Sequence, residues 1–451
     1  MISMTISEVA KLFGSALKSN KEFKSICTDT RLCEEDCLFI AIEGERFDGH
    51  DFVSEAFSKG AAAAICHKPV KDSRNIIYVD DTRRAQLKLA NYYKRKFELL
   101  TVGLTGSVGK TTTKEMVWCV LSKKFKTLKT IGNYNNDIGL PRMVFELDST
   151  YEAAVLEMGM SGLGEISELS QCCMPDIAVI TNIGVSHIEK LGSKHNILKA
   201  KTEILDGMTG ASPLVLNADD ELLYGQSKSM TNPVILYGIN NEDCDYRAVN
   251  IKYSDAQTVF DIVYSDKRQL ITLPTLGKHN VYNAVCAFAV GIYAGVSSSD
   301  IADAFCEYVP SGMRQKIVKL NNITVVEDCY NASPDSVRAS LEAFGLIKGG
   351  RKIAVMGDML ELGSYSHEAH ISCGEKAAEY ADVLYAYGKF ARDYCEGASQ
   401  NGIKKCLCFD NKKELVNIIL SDIKTNDVYL FKASRGMKLE EVISELYSNI
   451  T

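Results

Sequence analysis

The sequence predicts an α/β protein of three domains, on three observations. The chain has 451 residues, beyond the roughly 100–200 that one compact core usually holds. Apolar residues make up 46% and charged residues 24%, the balance of a soluble globular chain. Short apolar runs alternate with helical patterns along most of the length, which favours parallel sheets covered by helices. The formal net charge of −7 argues against a nucleic-acid partner, although it allows a local basic site for a small anion. No apolar run approaches the ~20 residues that span a bilayer, so no membrane insertion is expected. The N-terminal MISMTISEVAKLFG lacks the basic start, apolar middle and small-residue cleavage site of a signal peptide. The 15 cysteines are scattered with no CxxC pair, which favours buried reduced thiols over a disulfide framework. A cytoplasmic monomer is the resulting expectation.

The first segment, residues 1–85, is expected to be a small α/β unit with strands at Cys37–Ile42 and Ile76–Val79 and a helix over Asp51–Lys59. The second, residues 86–313, opens with a strand at Leu99–Leu104. A glycine-rich loop and a helix with Val117, Val120 and Leu121 on one face follow it. Ala153–Glu157 and Ile177–Thr181 extend this parallel pattern. Tyr246–Lys252, Gln257–Tyr264 and Gln269–Leu273, broken by SDA and SDKR turns, read instead as an antiparallel meander added to the sheet. A helix from His279 to Ala294 closes the segment. The third, residues 314–451, repeats strand and helix at Ile353–Met356, Asp382–Tyr387 and Val428–Phe431, a Rossmann-like doubly wound pattern.

Strand, glycine loop and helix in succession are what a phosphate-binding loop requires. In Gly106, Ser107, Val108, Gly109, Lys110, Thr111 and Thr112 the glycines let backbone N–H groups close around phosphate oxygens. Lys110 is expected to reach the β- and γ-phosphates of ATP, and the Thr111 hydroxyl to bind Mg²⁺. The helix N-terminus adds partial positive charge. Leu104 stands where the longer pattern has a glycine, so this is the shorter GxxGKT form.

Glu157 closes the strand AAVLE, and His187 follows the next strand in TNIGVSH. Alone, such a glutamate reads as a surface charge and such a histidine as a core residue. Both at strand ends beside a phosphate loop, they read as Mg²⁺ ligands. Lys194–Met208 reads as one helix with Lys201 on the same side as Ile197, Ile204 and Leu205. Such a lysine either snorkels to water or is desolvated, with a lowered pKa. A neutral amine can take up CO₂ as a metal-binding carbamate. On physical grounds both readings stand. His367 and His370 lack zinc-site spacing and are expected on a solvent-facing helix. Cys406 and Cys408 are too close for a usual zinc pair, and Cys172–Cys173 is expected at a helix end.

TGSVGKTTT, GNYNNDIGLP (132–141), LEMG (156–159), TNIGVSHIEKLGS (181–193), AKTEI (200–204), GKHNVYNAV (277–285) and DCYNASPDS (328–336) occur in that order. With TDTR (28–31) and RFDGHDF (46–52), this set covers essentially the whole chain and resembles the Mur ligases of peptidoglycan synthesis. The segments FDGHDF, NNDIG and DCYNASPDS are similar to the branch that adds D-alanyl-D-alanine. The DNPR sequence usual in the diamino-acid-adding branch is missing.

The resemblance implies a site, residue by residue. Lys201 would carry the carbamate and, with Glu157 and His187, hold a second Mg²⁺, while Thr111 and Glu157 hold the first. Asn280 and Asn283 would contact adenine, Arg314 phosphate and Asp328 the ribose. Asp29, Arg31, Asp48, Gly49 and His50 would hold the UDP-sugar. Asn133, Asn135, Asn136 and Asp137 would line the muropeptide or acceptor side, and Asn331, Ser333 and Asp335 the acceptor. Ser333 stands where the family usually has asparagine, and Ala433 in KASRGMKLE (432–440) where it has glycine. The implied activity is ATP-dependent joining of D-alanyl-D-alanine to UDP-N-acetylmuramoyl-tripeptide through an acyl phosphate, in the cytoplasmic part of peptidoglycan synthesis. Lys110, Arg314 and two Mg²⁺ ions would neutralise the charge that gathers there. A ligase of the same fold with another amine substrate, diamino-acid-adding or folylpolyglutamate-type, is the alternative. A nucleotide-gated binding protein without catalysis is a third, which the joint presence of Lys110, Glu157, His187 and Lys201 disfavours.

Overall fold

The computed structural model describes residues 2–72, 74–254 and 257–450. The chain divides into two compact units. One comprises Met1–Thr105, Lys124–Val179 and Thr202–Pro213, the other Gly106–Lys123, Ile180–Lys201 and Leu214–Thr451.

In the first unit, Ser25–Cys27, Cys37–Ile40, Ala63–Cys66 and Ile76–Tyr78 form a four-stranded parallel sheet in that order. Its strands are short and almost wholly apolar, as strands covered on both faces must be. Phe39, Ala64, Val53 and Phe57 pack together on one side. The expected helix over 51–59 is a 3₁₀ turn at Gly49–Phe52 followed by a helix at Val53–Ser58. A helix at Thr82–Lys94 runs through residue 85, so a domain boundary there would cut a helix. Its start is set by Asp81, whose side chain accepts the N–H groups of Arg83 and Arg84. Beyond it, Leu100–Thr105 lies parallel to Ala153–Glu157, which lies parallel to Thr127–Lys129. That register sets Glu157 opposite Leu104 at the carboxyl end of the strand that leads into the glycine loop.

In the second unit the helix Lys110–Leu121 buries Val117, Val120 and Leu121, the predicted face. It packs on the helix Lys278–Tyr293, where a side chain at Gly291 would meet Val120 Cγ1 at 2.4 Å. Leu214–Asn217 and Val234–Gly238 are parallel, and Tyr246–Ser254 continues parallel to the latter. The meander is antiparallel as predicted, Tyr246–Ser254 with Gln257–Tyr264 and that with Lys267–Leu273. Most of the SDA turn expected at 254–256 lies outside the described residues. The third segment is a six-stranded sheet with core clusters on both faces, parallel except for the edge strand Lys316–Leu320.

Two sequence expectations are corrected. The single helix expected over 194–208 is an α-helix only at Lys194–Thr202 and continues as a 3₁₀ helix at Glu203–Gly207. The reason lies outside the helix: the Ser170 hydroxyl donates to the Ile204 carbonyl and accepts the Gly207 N–H. His370 does not face solvent. It is fully buried, its Nε2 accepts the Met359 N–H at 3.0 Å, and its ring stacks on Phe390. His367 remains exposed and contacts Asp393. All fifteen cysteines are free thiols, eight of them buried, and Cys172–Cys173 closes a helix as expected.

Candidate active site

Two glycines shape the loop. Gly109 has φ +85°, a left-handed conformation that caps the helix beginning at Lys110. Gly106 has φ +151°, and a Cβ there would fall 1.8 Å from Thr181 Oγ1. The loop is braced by the residues that follow the strand Ile177–Ile180. The Thr181 hydroxyl donates to the Val108 carbonyl at 2.7 Å, and the Asn182 amide group donates to the same oxygen at 2.9 Å. In return Asn182 Oδ1 accepts the Val108 N–H at 2.9 Å. Sequence reasoning gave neither residue a task, although both stand in the quoted segment TNIGVSH. Lys110 Nζ folds back onto the Gly106 and Ser107 carbonyls, at 2.7 and 3.3 Å. Ser107 Oγ is buried without a hydrogen-bond partner among the described residues, a donor suited to a phosphate oxygen. Thr111 and Thr112 are half-buried.

The asparagines expected at the adenine sit on the helix Lys278–Tyr293, both buried. Asn283 Oδ1 accepts the Thr113 hydroxyl at 3.0 Å, tying this helix to the one that follows the loop. The Asn280 amide donates to Thr275 Oγ1, the Leu276 carbonyl and Gln315 Oε1. Arg314 reaches the Thr111 hydroxyl at 3.0 Å and lies 3.7 Å over the Tyr330 ring, a cation–π contact that fixes its plane. Asp328 is buried against Lys432, 3.0 Å away, and the Ser340 hydroxyl.

Lys201 is 1% exposed. Burial, with the nearby Lys110 charge second, pushes its pKa well below the usual lysine value. Desolvation rather than snorkelling describes this side chain. His187 has φ +64° at the head of a short helix, and its Nδ1 lies 3.3 Å from Glu361. Burial and then the charges of Lys110, Lys201 and Lys190 lower its pKa to about 4. It is neutral at pH 7 and so able to bind metal. Glu157 belongs to the first unit. It is 2% exposed, and its Oε1 accepts the Asn135 amide at 2.9 Å. Among the described residues no three His, Cys, Asp or Glu side chains gather as metal ligands.

The remaining predicted residues fall into separate clusters. Asn136 Oδ1 accepts the Gly139 N–H, Asp137 pairs with Arg83 at 2.9 Å, and Asn133 is exposed. Asp29 grips Arg31 at 2.6 Å, which with a backbone N–H holds its carboxyl at about 2. Asp48 joins His50, at 2.6 Å, and Lys68, at 2.8 Å. Burial opposes ionisation of Asp48, but these hydrogen bonds hold its carboxyl well below the carboxylate range. A side chain at Gly49 would strike the Ile42 backbone at 2.7 Å. Ser333 caps the helix Pro334–Gly345, Asp335 accepts the Val185 N–H at 3.3 Å, and Asn331 is exposed.

Comparison with known proteins resolves what this combination is. Three family models match: "Mur ligase family, catalytic domain" over residues 22–95, "Mur ligase middle domain" over 104–291 and "Mur ligase, glutamate ligase domain" over 313–435. A Bacillus subtilis protein named UDP-N-acetylmuramoyl-tripeptide–D-alanyl-D-alanine ligase is 39% identical, covering 99% of each chain. The chain belongs to the Mur ligase family. Crystal structure I of MurF from Acinetobacter baumannii matches this Mur ligase with a TM-score of 0.92 at 31% identity, covering 99% of each chain. MurF ligase from Thermotoga maritima, solved in complex with ADP, matches with a TM-score of 0.86 at 29% identity, over 95% of this chain and 98% of that one. No helix of this Mur ligase, among the described residues, is long and apolar enough to cross a membrane.

Proposed function

We propose that the chain is the ATP-dependent ligase that joins D-alanyl-D-alanine to the terminal carboxylate of UDP-N-acetylmuramoyl-tripeptide, giving the pentapeptide, ADP and phosphate. The observation that carries this reading is the likeness over 99% of both chains to a ligase named for that reaction. The glycine loop, with its buried unpartnered Ser107 hydroxyl and close Lys110, supplies a matching phosphate site. The reaction belongs to peptidoglycan synthesis, and we place it in the cytoplasm.

A carboxylate does not accept an amine unaided. Here a terminal carboxylate oxygen attacks the γ-phosphorus of ATP and ADP leaves, giving an acyl phosphate. The D-alanyl-D-alanine amine then attacks the acyl carbon, loses a proton and expels phosphate, which carries away that carboxylate oxygen. Each step brings anions together, so charge neutralisation is the main demand on the protein. Lys110 leaves its loop carbonyls for the β- and γ-phosphates. Arg314, held flat against Tyr330, faces the same phosphates. Asn280 and Asn283 bind adenine and Asp328 the ribose. Residues 1–85 take the UDP-sugar through Asp29, Arg31, Asp48, Gly49 and His50. The central residues 86–313 take ATP, with Asn133, Asn135, Asn136 and Asp137 on the muropeptide or acceptor side. Residues 314–451 take the dipeptide through Asn331, Ser333 and Asp335.

The donor set fits Mg²⁺: a buried carboxylate, a histidine neutral at pH 7 and a desolvated lysine. Thr111 and Glu157 would hold one ion, and Glu157, His187 and the Lys201 carbamate another. When bound, the ions would offset the charge of the transferred phosphoryl group. The carbamate forms when the neutral Lys201 amine attacks CO₂ and releases a proton.

The test is phosphate release with UDP-N-acetylmuramoyl-tripeptide and a panel of amines. Turnover is expected with D-alanyl-D-alanine and not with single amino acids. Equal turnover without either substrate, or preference for a diamino acid or glutamate, would overturn the assignment.

A further inference from the structure

A cleft of about 890 Å³ lies wholly within the first unit. None of its lining residues belongs to the ATP, sugar-nucleotide or dipeptide sites described above. One wall is the helix Thr82–Lys94 and its cap: Arg84, Lys88, Asn91 and Arg95 recur at four, three and four residues, so they share a face. The opposite wall is the end of the helix Glu165–Cys173, the turn after it, and Asp206–Thr209.

Lys94 lines this cleft and is only 7% exposed. Among the described residues its ammonium has no hydrogen-bond or ion-pair partner. Among the described residues, the side-chain atoms sealed from solvent without a partner are Gln86 Oε1, Ser107 Oγ and Glu440 Oε2. The Lys94 ammonium is not among them, so it opens on the cleft. Burial lowers its pKa, against the pull of Asp176. A nearly buried ammonium without an acceptor is costly unless an anion meets it.

The cleft's own carboxylates do not supply that anion. Glu168 is engaged by Arg84 at 3.2 Å. Asp176 receives the Thr101 N–H at 2.8 Å. Asp206 is exposed. The adjacent helix C-terminus is already capped, because Asn91 donates to the Gln171 carbonyl at 2.6 Å. Lys94 is therefore not needed there as a cap. Lys88, Lys94 and Arg95 remain, and the volume suits a small molecule rather than a bare ion.

We propose that this cleft binds a small phosphate-bearing molecule, with Lys94 as the buried contact and Lys88 and Arg95 as the outer ones. The phosphate dianion supplies acceptors for more than one of these cations at once.

Inorganic phosphate is the probe. Full-length protein is held with saturating ADP and Mg²⁺, so that the glycine loop is occupied. Acetylation of Lys94 by acetic anhydride is followed by peptide mass spectrometry. Phosphate at millimolar concentration is expected to slow labelling of Lys94 about fivefold or more, as site occupancy requires. Chloride at equal ionic strength is expected to leave it unchanged. In Lys88→Glu/Arg95→Glu the phosphate concentration that half-protects Lys94 should rise about tenfold, roughly the loss of one charge-assisted contact, while ligase turnover is retained. Labelling insensitive to phosphate, equal protection by chloride, or undiminished protection in the double variant would overturn the proposal.

Discussion

The glycine loop and the N-terminal segment around Asp48, proposed above to meet ATP and the sugar nucleotide, organise their polar residues by different means. At the loop the organising contacts are uncharged and buried or part-buried: Thr181 and Asn182 on Val108, and Asn283 on Thr113. Lys201, in the same unit, is 1% exposed. Around Asp48 the contacts are charged and partly open to water: the Lys68 and Asp48 side chains are 39% and 27% exposed, while His50 is buried. Buried polar contacts are expensive to break, at roughly 1–3 kcal/mol for each group left unsatisfied. Exposed ion pairs contribute about 0–1 kcal/mol and weaken with salt. On this reading the proposed ATP loop is preorganised, and the proposed sugar-nucleotide segment is the more adjustable.

Substitutions should sharpen that contrast. The largest effect is expected for Gly106→Ala, which drives a methyl into the Thr181 hydroxyl at a backbone angle that side chains rarely adopt. Turnover should fall about 10²–10³-fold or more, the scale of losing a preorganised charge-stabilising group, in steady-state phosphate release. Lys201→Ala should cost about 10–100-fold in Mg²⁺ affinity, the scale of a disrupted metal shell, and a short carboxylic acid should restore part of the activity. An unaltered Mg²⁺ titration in that variant would remove Lys201 from the metal site.

The pH dependence of stability separates the two ends as well. His187 has a pKa near 4 in the fold against an ordinary 6.5. Between those values the unfolded chain binds the extra proton, so stability rises with pH across that window and is lost on acidification. With its side chain 26% exposed, a contribution on the order of 1–2 kcal/mol is expected. Denaturant melts of metal-free protein at pH 4.0–6.5, compared with His187→Gln, would measure it. Lys201 acts with the same sign at higher pH, since its folded pKa is also depressed. The smallest effect should come from Asp48→Asn. A rise of about fivefold or less in KM for the sugar nucleotide, with kcat retained, matches a partly exposed pair. A collapse of kcat would show that this end is as preorganised as the other.

Much of this was legible in the sequence because the deciding signals are local. Strand, GSVGKTT and helix in succession announce the loop, and Ala153–Glu157 appears with the bounds the sequence predicts. Short strands such as Thr127–Lys129 and Leu214–Asn217 were missed, although Ile76–Tyr78, equally short, was read from its apolar run. The break after Thr202 was missed because it depends on Ser170, thirty-odd residues away. His370 was misplaced for a similar reason: what buries it is Phe390 and the Met359 N–H, neither on its own helix. The bracing of Val108 by Thr181 and Asn182 likewise joins residues more than seventy positions apart.

The most direct test of the central claim follows an oxygen atom. UDP-N-acetylmuramoyl-tripeptide labelled with ¹⁸O in its terminal carboxylate is turned over with ATP and D-alanyl-D-alanine. Activation through an acyl phosphate predicts one labelled oxygen in each released phosphate. Phosphate free of label, with the dipeptide nonetheless joined, would contradict it.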